Sequence, residues 1–440
     1  MSRIQPYHQN PFYWEYEGKP VMLLGGSIED NLFQIEGLEA HLDTLVGAGG
    51  NYVRCTMSSR DPGDVWPFEQ NHDTGLYDLD QPGKTYWQKF AQFLEACAKR
   101  KIILQIEVWD RFDFAREPWQ ANPFNPKNNL NYSSKSSGLP ERIDTHPGQK
   151  ENPFFRTAPE QEDNEEVRKY QHVFVDKLLE LSLPYGNVLY CIDNETNESP
   201  LWSAYWAGYL KLLAEQQGVT IQVTEMWDAW DLSDPEHSAT FDHPELYSFV
   251  DISQNNHQVG LEHWLNPLKV RERLKVHPRP MNSVKIYGAN SGRYGTNRDA
   301  QERFWRAVLA GFASVRFHRP PSGLGLSDVA QRHIKSMRLL LDRFDLFRAE
   351  PALALLHNRS RNEAYASAGP DDTYAVFFPD GGEVSLEVKH PEHVYGLEWL
   401  DIGSSTWVSS EQTFESSGQI QLKTPREDGY WAVLVKPSFL

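Results

Sequence analysis

Strand-like apolar runs alternating with stretches of helical period fill residues 1–347 of this 440-residue chain, and no other sequence feature narrows its fold so far. Eight runs qualify, ending near Leu24, Thr56, Asp110, Asn194, Trp227, Ser253, Tyr287 and Phe317. Between them apolar residues recur at helical spacing, as in Trp87, Phe90, Phe93, Leu94 and Cys97, or Val167, Phe174, Leu178 and Leu179. Strands separated by helices pair in parallel, because a crossover must return the chain to the same end of the sheet. Eight such units predict an α/β fold, a (β/α)8 TIM barrel. An open doubly wound sheet loses its main support, since no glycine-rich phosphate-binding turn follows the first strand.

Beyond Phe347 the pattern changes. Tyr374 to Phe378, the turn Pro379 to Gly382, and Glu383 to Val388 read as a hairpin, continued by Val394 to Asp401, Gln419 to Lys423 and Tyr430 to Val435. Residues 350–440 are expected to form a small C-terminal antiparallel β-sandwich, serving packing or sugar binding.

Charge and composition exclude several partners. The net charge is −18 and no run of Lys or Arg offsets it, which speaks against nucleic acid and anionic membrane surfaces. No apolar stretch approaches the ~20 residues of a membrane helix. The first residues lack a signal-peptide core, so the chain reads as cytoplasmic, or as exported with its leader absent. Cys55, Cys97 and Cys191 are odd in number and far apart, and no His-Glu-x-x-His occurs, so neither disulfides, a metal nor an organic cofactor is expected. The segment from Arg111 to about Gln161 shows no regular element; with Trp119, Phe124, Tyr132, Phe154 and Phe155 among polar residues, it reads as a cover over a pocket.

Active sites of such barrels lie at the C-terminal strand ends. Those ends carry Arg54, Glu107, Trp109, Asp110, Arg111, Asn194, Glu195, Glu225, Trp227, Asp228, His257, Lys285, Tyr287, Arg316, His318 and Arg319. Carboxylates, rings and amides on one face fit glycosidic-bond hydrolysis, which uses two carboxyl groups and a platform for the sugar. Glu195 is the first candidate, read as the general acid that protonates the leaving oxygen, because it closes an apolar strand and a buried carboxylate shifts its pKa; the second acid is then base or nucleophile. For the second acid, alternation turns Gln105 and Glu107 inward and Leu104, Ile106 and Val108 toward the helices, which favours Glu107. Glu225 follows, then Asp110 and Asp228, with Glu29 or Asp30 behind them. Arg54, Trp109, Asp110, Asn194, Trp227, Asp228, His257, Tyr287 and His318 form the expected substrate-binding set. Plainer roles compete: Glu107 in a core ion pair with Arg54 or Lys285, the histidines as structural donors, the tryptophans closing the barrel mouth.

Several segments carry a resemblance to a known family. Asn10-Pro11-Phe12-Tyr13-Trp14-Glu15-Tyr16-Glu17-Gly18-Lys19-Pro20, followed by Leu23-Leu24-Gly25-Gly26-Ser27, resembles the entry of clan A glycoside hydrolase barrels, particularly the apiosidase-like group. Phe304-Trp305-Arg306-Ala307-Val308-Leu309-Ala310-Gly311 is similar to the same group, and the tail resembles the collagen-binding-type β domain that follows such barrels. The resemblance implies that Glu195 is the general acid/base, that Asn194 binds the sugar 2-hydroxyl, and that Arg54 supports the nucleophile. One position departs from it. The clan's nucleophilic Glu ends strand seven, where this chain reads Pro280-Met281-Asn282-Ser283-Val284-Lys285-Ile286-Tyr287-Gly288, with no acid before Asp299. Three readings stay open: a second carboxylate from another strand, a different nucleophile with Tyr287 the residue to inspect, or a barrel that binds sugar without cleaving it.

Arg54, Arg111, Arg293, Arg316 and Arg319 suggest an anionic sugar, since guanidinium clamps carboxylate or sulfate in bidentate fashion. The expected function is hydrolysis of a glycosidic bond in a plant or algal type oligo- or polysaccharide, anionic ones included. A non-catalytic carbohydrate-binding barrel and a lyase on acidic polysaccharide are the alternatives.

Overall fold

The computed structural model describes residues 2–290, 292–408, 413–415 and 418–438. Eight strands form the barrel: β1 (Leu23–Gly26), β2 (Tyr52–Thr56), β3 (Ile103–Asp110), β4 (Val188–Asn194), β5 (Gln222–Thr224), β6 (Val250–Asp251), β7 (Met281–Ile286) and β8 (Ser314–Phe317). Every residue of these strands is buried, as expected where a parallel sheet is covered on both faces. The strands pair in parallel in the order β5-β4-β3-β2-β1-β8-β7-β6. Two loop residues close the seam between β5 and β6. Ser248 N donates to Val223 O at 3.0 Å, and Thr224 Oγ1 donates to Phe249 O at 2.8 Å.

Eight helices follow the strands: α1 (Leu38–Gly47), α2 (Lys84–Lys99), α3 (Glu165–Ser182), α4 (Pro200–Gln216), the single turn α5 (Ser238–Phe241), α6 (Gly260–Leu274), α7 (Asn297–Leu309) and α8 (Asp328–Leu341). No helix among the described residues is long and apolar enough to cross a membrane.

Strands β5 and β6 are shorter than the apolar runs at Thr220 to Trp227 and Phe249 to Ser253 suggest. Side-chain carboxylates take backbone donors in place of ladder carbonyls: Glu225 accepts from the N–H of Asp193 and of Met226, both at 2.8 Å, at the end of β5, and Asp251 accepts from Ser253 N–H at 2.9 Å at the end of β6. The barrel interior holds a polar belt: Tyr52 donates to Gln105 at 2.6 Å, and Gln105 donates to Asp251 at 3.1 Å. An N-terminal three-stranded sheet (Gln5–Pro6, Trp14–Tyr16, Lys19–Val21) plugs the end opposite the strand tips. There Trp14 donates to Asn282 at 3.0 Å and meets Phe249 edge-on.

The segment after β3 is more structured than its sequence suggests. It contains the helix Arg116–Ala121 and several single turns. Phe114, Trp119, Phe124, Phe154 and Phe155 are buried against one another and form a local core, while Phe112, Arg116, His146 and Pro147 of the same segment wall the cavity at the strand ends. Asn122, Asn125 and Asn129 hold its turns through backbone carbonyls.

The C-terminal region forms two antiparallel sheets. The larger is centred on Tyr374–Phe378, Trp431–Pro437 and Val394–Asp401; the smaller pairs Glu383–Glu387 with Leu356–His357 and Gln419–Lys423. Between the sheets lie Val376, Phe378, Leu386, Leu397, Trp399, Leu422, Val433 and Val435. The intervening residues Ala375, Phe377, Ala432 and Leu434 point the other way and join the barrel core. That two-sided burial explains the unbroken apolar run at Tyr374 to Phe378.

Candidate active site

A cavity of about 720 Å³ opens at the C-terminal ends of the strands, and residues that follow all eight strands line it. Glu195 is at its centre and owes its orientation to the backbone. Asn194 and Glu195 are consecutive, so a regular strand would send them to opposite faces. Glu195 instead adopts a left-handed conformation with φ of 53°, which turns both side chains into the cavity. The chain pairs again at once: Thr196 N donates to Met226 O and Asp228 N to Thr196 O, each at 2.8 Å. These bonds pin a conformation that costs a non-glycine residue about 1–3 kcal/mol, and such strain gathers at functional sites.

The Glu195 side chain is 14% exposed and lies 2.7 Å from Lys285 Nζ, while Tyr287 donates to it at 3.0 Å. Both contacts fall on Oε1, which leaves Oε2 toward the cavity. Burial pushes this carboxyl up, but Lys285, Arg111 and Arg54 outweigh burial and hold it below the ordinary carboxylate range. Tyr287 is pushed well above the usual phenol value by burial and by Glu195, so it remains a neutral donor and not a phenolate. Asn194 Oδ1 accepts from Arg54 at 2.8 Å and from Lys285 at 2.6 Å; its Nδ2 meets no acceptor among the described residues. Arg54 also binds Asp30 at 2.7 Å, and His318 flanks that pair.

Asp228 supplies a second carboxylate in the cavity. Arg111 holds it at 2.7 Å, yet burial dominates and its pKa is raised. His257 is lowered to about 4 by burial, so its ring is neutral; it stacks on Trp230 at 3.8 Å.

Arg54, Asn194, Glu195, Asp228, His257, Tyr287 and His318 thus line one cavity. Five expected site residues do not. Glu107 turns inward as alternation requires, but it is fully buried, bound by Arg54 at 2.6 Å, and raised to about 7 by burial. Glu225 is occupied by the two backbone N–H groups and raised by burial to about 8. Asp110 caps the turn after β3 and binds Arg60 at 2.6 Å. Trp109 and Trp227 do not offer the ring faces expected of them: they are 2% and 1% exposed, Trp109 among Phe174, Trp202 and Trp206, Trp227 bonded to Thr240. Their bulk fills the layer between strand and helix, where burial of a large ring is most favourable.

The exposed ring is Trp230, and Phe112, Arg116, His146 and Tyr294 line the same cavity. These residues lie several positions past the strand ends, beyond the reach of strand alternation; the cluster Trp227-Asp228-Ala229-Trp230 was the available signal. One trio of metal-type ligands, His390, Glu392 and His393, occurs among the described residues; it belongs to the C-terminal domain and not to the cavity lining.

No protein-family model matches the chain, and no curated protein matches it in sequence. Solved structures do. A glycoside hydrolase family 5 structure from Bacteroides vulgatus has a TM-score of 0.68 at 12% identity, over 99% of this chain and 93% of that one. Another, described as a glycoside hydrolase, gives 0.64 at 12% identity over 99% and 97%. A glycoside hydrolase family 5 mannosidase from Rhizomucor miehei, in complex with mannosyl-fructose, gives 0.53 at 11% identity over 78% and 98%. The likeness is one of fold. Coverage of 99% takes it through the C-terminal β domain as well as the barrel.

Proposed function

We propose that the cavity hydrolyses a glycosidic bond, with Glu195 and Asp228 as the two carboxyl groups. The observation that carries this is Glu195 itself, turned into a 720 Å³ cavity by a strained backbone and held there by Lys285 and Tyr287. Two carboxyls pushed in opposite directions by their surroundings divide the base and acid roles between them. The sequence favours Glu195 as the proton donor; held low by Lys285, it is instead the base toward water or the nucleophile toward the sugar. Asp228, raised by burial, protonates the leaving oxygen. Glu107 is a support that fixes Arg54, and Arg54 in turn orients Asn194 toward a sugar hydroxyl. The glycoside hydrolases named above support the same reaction on the same architecture. The short sequence resemblances to the apiosidase-like group and to the collagen-binding-type domain support a finer reading along those lines, and the arginines of the cavity favour an anionic oligo- or polysaccharide of plant or algal type.

Replacing Glu195 by Gln tests this. Turnover should fall about 10²–10⁴-fold while oligosaccharide affinity is kept. The anomer released first, read by proton NMR, separates inversion from retention, which the carboxyl separation dictates. Unsaturated products absorbing in the ultraviolet would replace this reading by a lyase. A second reading, sugar binding without cleavage, is favoured by Lys285: it stands near the end of β7 and neutralises Glu195. Absence of new reducing ends from the wild type across a glycoside panel would establish it.

A further inference from the structure

Seven cations and four carboxylates line the cavity, an excess of positive charge on a chain of net charge −18. Five of those cations are engaged: Arg54, Arg60, Arg111, Lys285 and Arg319 each hold a carboxylate. Of the arginines that first suggested an anionic ligand, Arg54, Arg111 and Arg319 are therefore spoken for, and Arg316 is buried against Ser27 and Asp30. Arg293 and Arg116 are exposed at the cavity and hold no carboxylate among the described residues. Glu117, beside Arg116, pairs with no cation among the described residues and offsets part of its charge, so Arg293 is the stronger of the two.

Arg293 is placed by aromatic rings. Its guanidinium lies 5.3 Å from the Tyr294 ring and 6.0 Å from the Trp230 ring, and it donates to the Tyr294 hydroxyl at 3.4 Å. That contact uses one of five N–H groups. Trp230 is 47% exposed and is backed by His257, so its indole is fixed while part of it faces solvent. An indole that accepts the apolar face of a sugar ring, with a guanidinium that holds no carboxylate about one substituent's reach away, matches a sugar bearing a negative group.

We infer that Arg293, assisted by Arg116, forms an anion subsite for the carboxylate of a uronic acid or the sulfate ester of a sulfated sugar whose ring lies on Trp230. This deepens the glycosidase reading and rests on it for the sugar. Contact with both ring and charge makes Arg293 a specificity determinant, not a member of the catalytic pair.

The test is titration calorimetry of the full chain with uronate-containing, sulfated and neutral oligosaccharides, for wild type, Arg293→Gln, Arg116→Gln and Trp230→Ala. At least one charged class should bind more tightly than its neutral counterpart, and the class that does so separates carboxylate from sulfate. Arg293→Gln should weaken it by about 10- to 100-fold, the range of a charge-assisted hydrogen bond, and leave neutral sugars nearly unchanged. Arg116→Gln should act in the same direction but less, and Trp230→Ala should weaken charged and neutral sugars alike. Equal binding of charged and neutral sugars, or discrimination that survives Arg293→Gln, would overturn the inference. The two readings fail separately. Charge-selective binding without any hydrolysis removes the glycosidase but keeps the subsite; hydrolysis accompanied by equal binding of charged and neutral sugars does the reverse.

Discussion

Lys285 sets the protonation state of Glu195. With it in place the carboxyl lies below its ordinary range; without it, burial is the main remaining influence and acts upward. In Lys285→Met the acidic limb of the kcat/KM profile should therefore move to higher pH, because a base must be ionised and Glu195 would now hold its proton longer. A limb that stays in place would mean that Glu195 is not the titrating base. Asp228→Asn should act on the other side, removing the alkaline limb that reports loss of the acid's proton, with kcat down about 10²–10⁴-fold. At this scale Glu195, Asn194 and Arg54 were legible from their places at strand ends. The cavity position of Asp228 against the buried one of Glu107 was not: alternation sends Glu107 inward, yet whether an inward carboxyl meets a cavity or a guanidinium depends on Arg54, which is remote in sequence.

Among the elements, β3, β4 and β5 carry an unusual load of buried carboxyls at their tips. Glu107 is raised to about 7 and Glu225 to about 8, and Asp193 beside Glu225 is raised well above its usual value, by burial first and then by its acidic neighbours. A carboxyl raised on folding binds more protons in the native state than in the unfolded one. The stability it contributes is complete below its unfolded pKa and is lost as pH rises through the folded value. Thermal stability is thus expected to decline from about pH 5 to about pH 8. Glu225→Gln keeps an oxygen for the two backbone N–H groups and removes the proton, so its Tm should vary less with pH than the wild type's. A slope identical to the wild type's would show that Glu225 does not titrate in this window. The strand runs themselves were readable from apolar residues, whereas the early ends of β5 and β6 were not, since side chains such as Glu225 take over the backbone donors there.

Across the whole molecule, barrel and β domain share one core. Trp305 on α7 stacks on Phe377 at 5.3 Å, Ser367 donates to Leu309 O at 2.7 Å, and Ser336 on α8 donates to Ile402 O at 2.9 Å. A β-sheet buried on both faces cannot leave the barrel without exposing Phe377, Ala375 and Leu434 to water. Calorimetry should show a single heat-unfolding transition, and Phe377→Ala should lower its Tm at a cost of about 3–5 kcal/mol. Two separated transitions in the wild type would show that the shared core does not couple the two parts.

What the chain determined by local order alone is the alternation of strand and helix, the eightfold count that closes a parallel sheet, the antiparallel tail, and the delivery of Glu195 to a strand end. Apolar period and element length are properties of neighbouring residues, so they can be read without knowing what packs against them. The tertiary structure decided which carboxyls reach the cavity, which rings stay exposed, and which arginines hold no carboxylate. Those outcomes depend on partners far apart in sequence, Arg54 with Glu107, Glu195 with Lys285, Trp230 with His257, and charge balance at a site exists only once the ring of strands has brought them together.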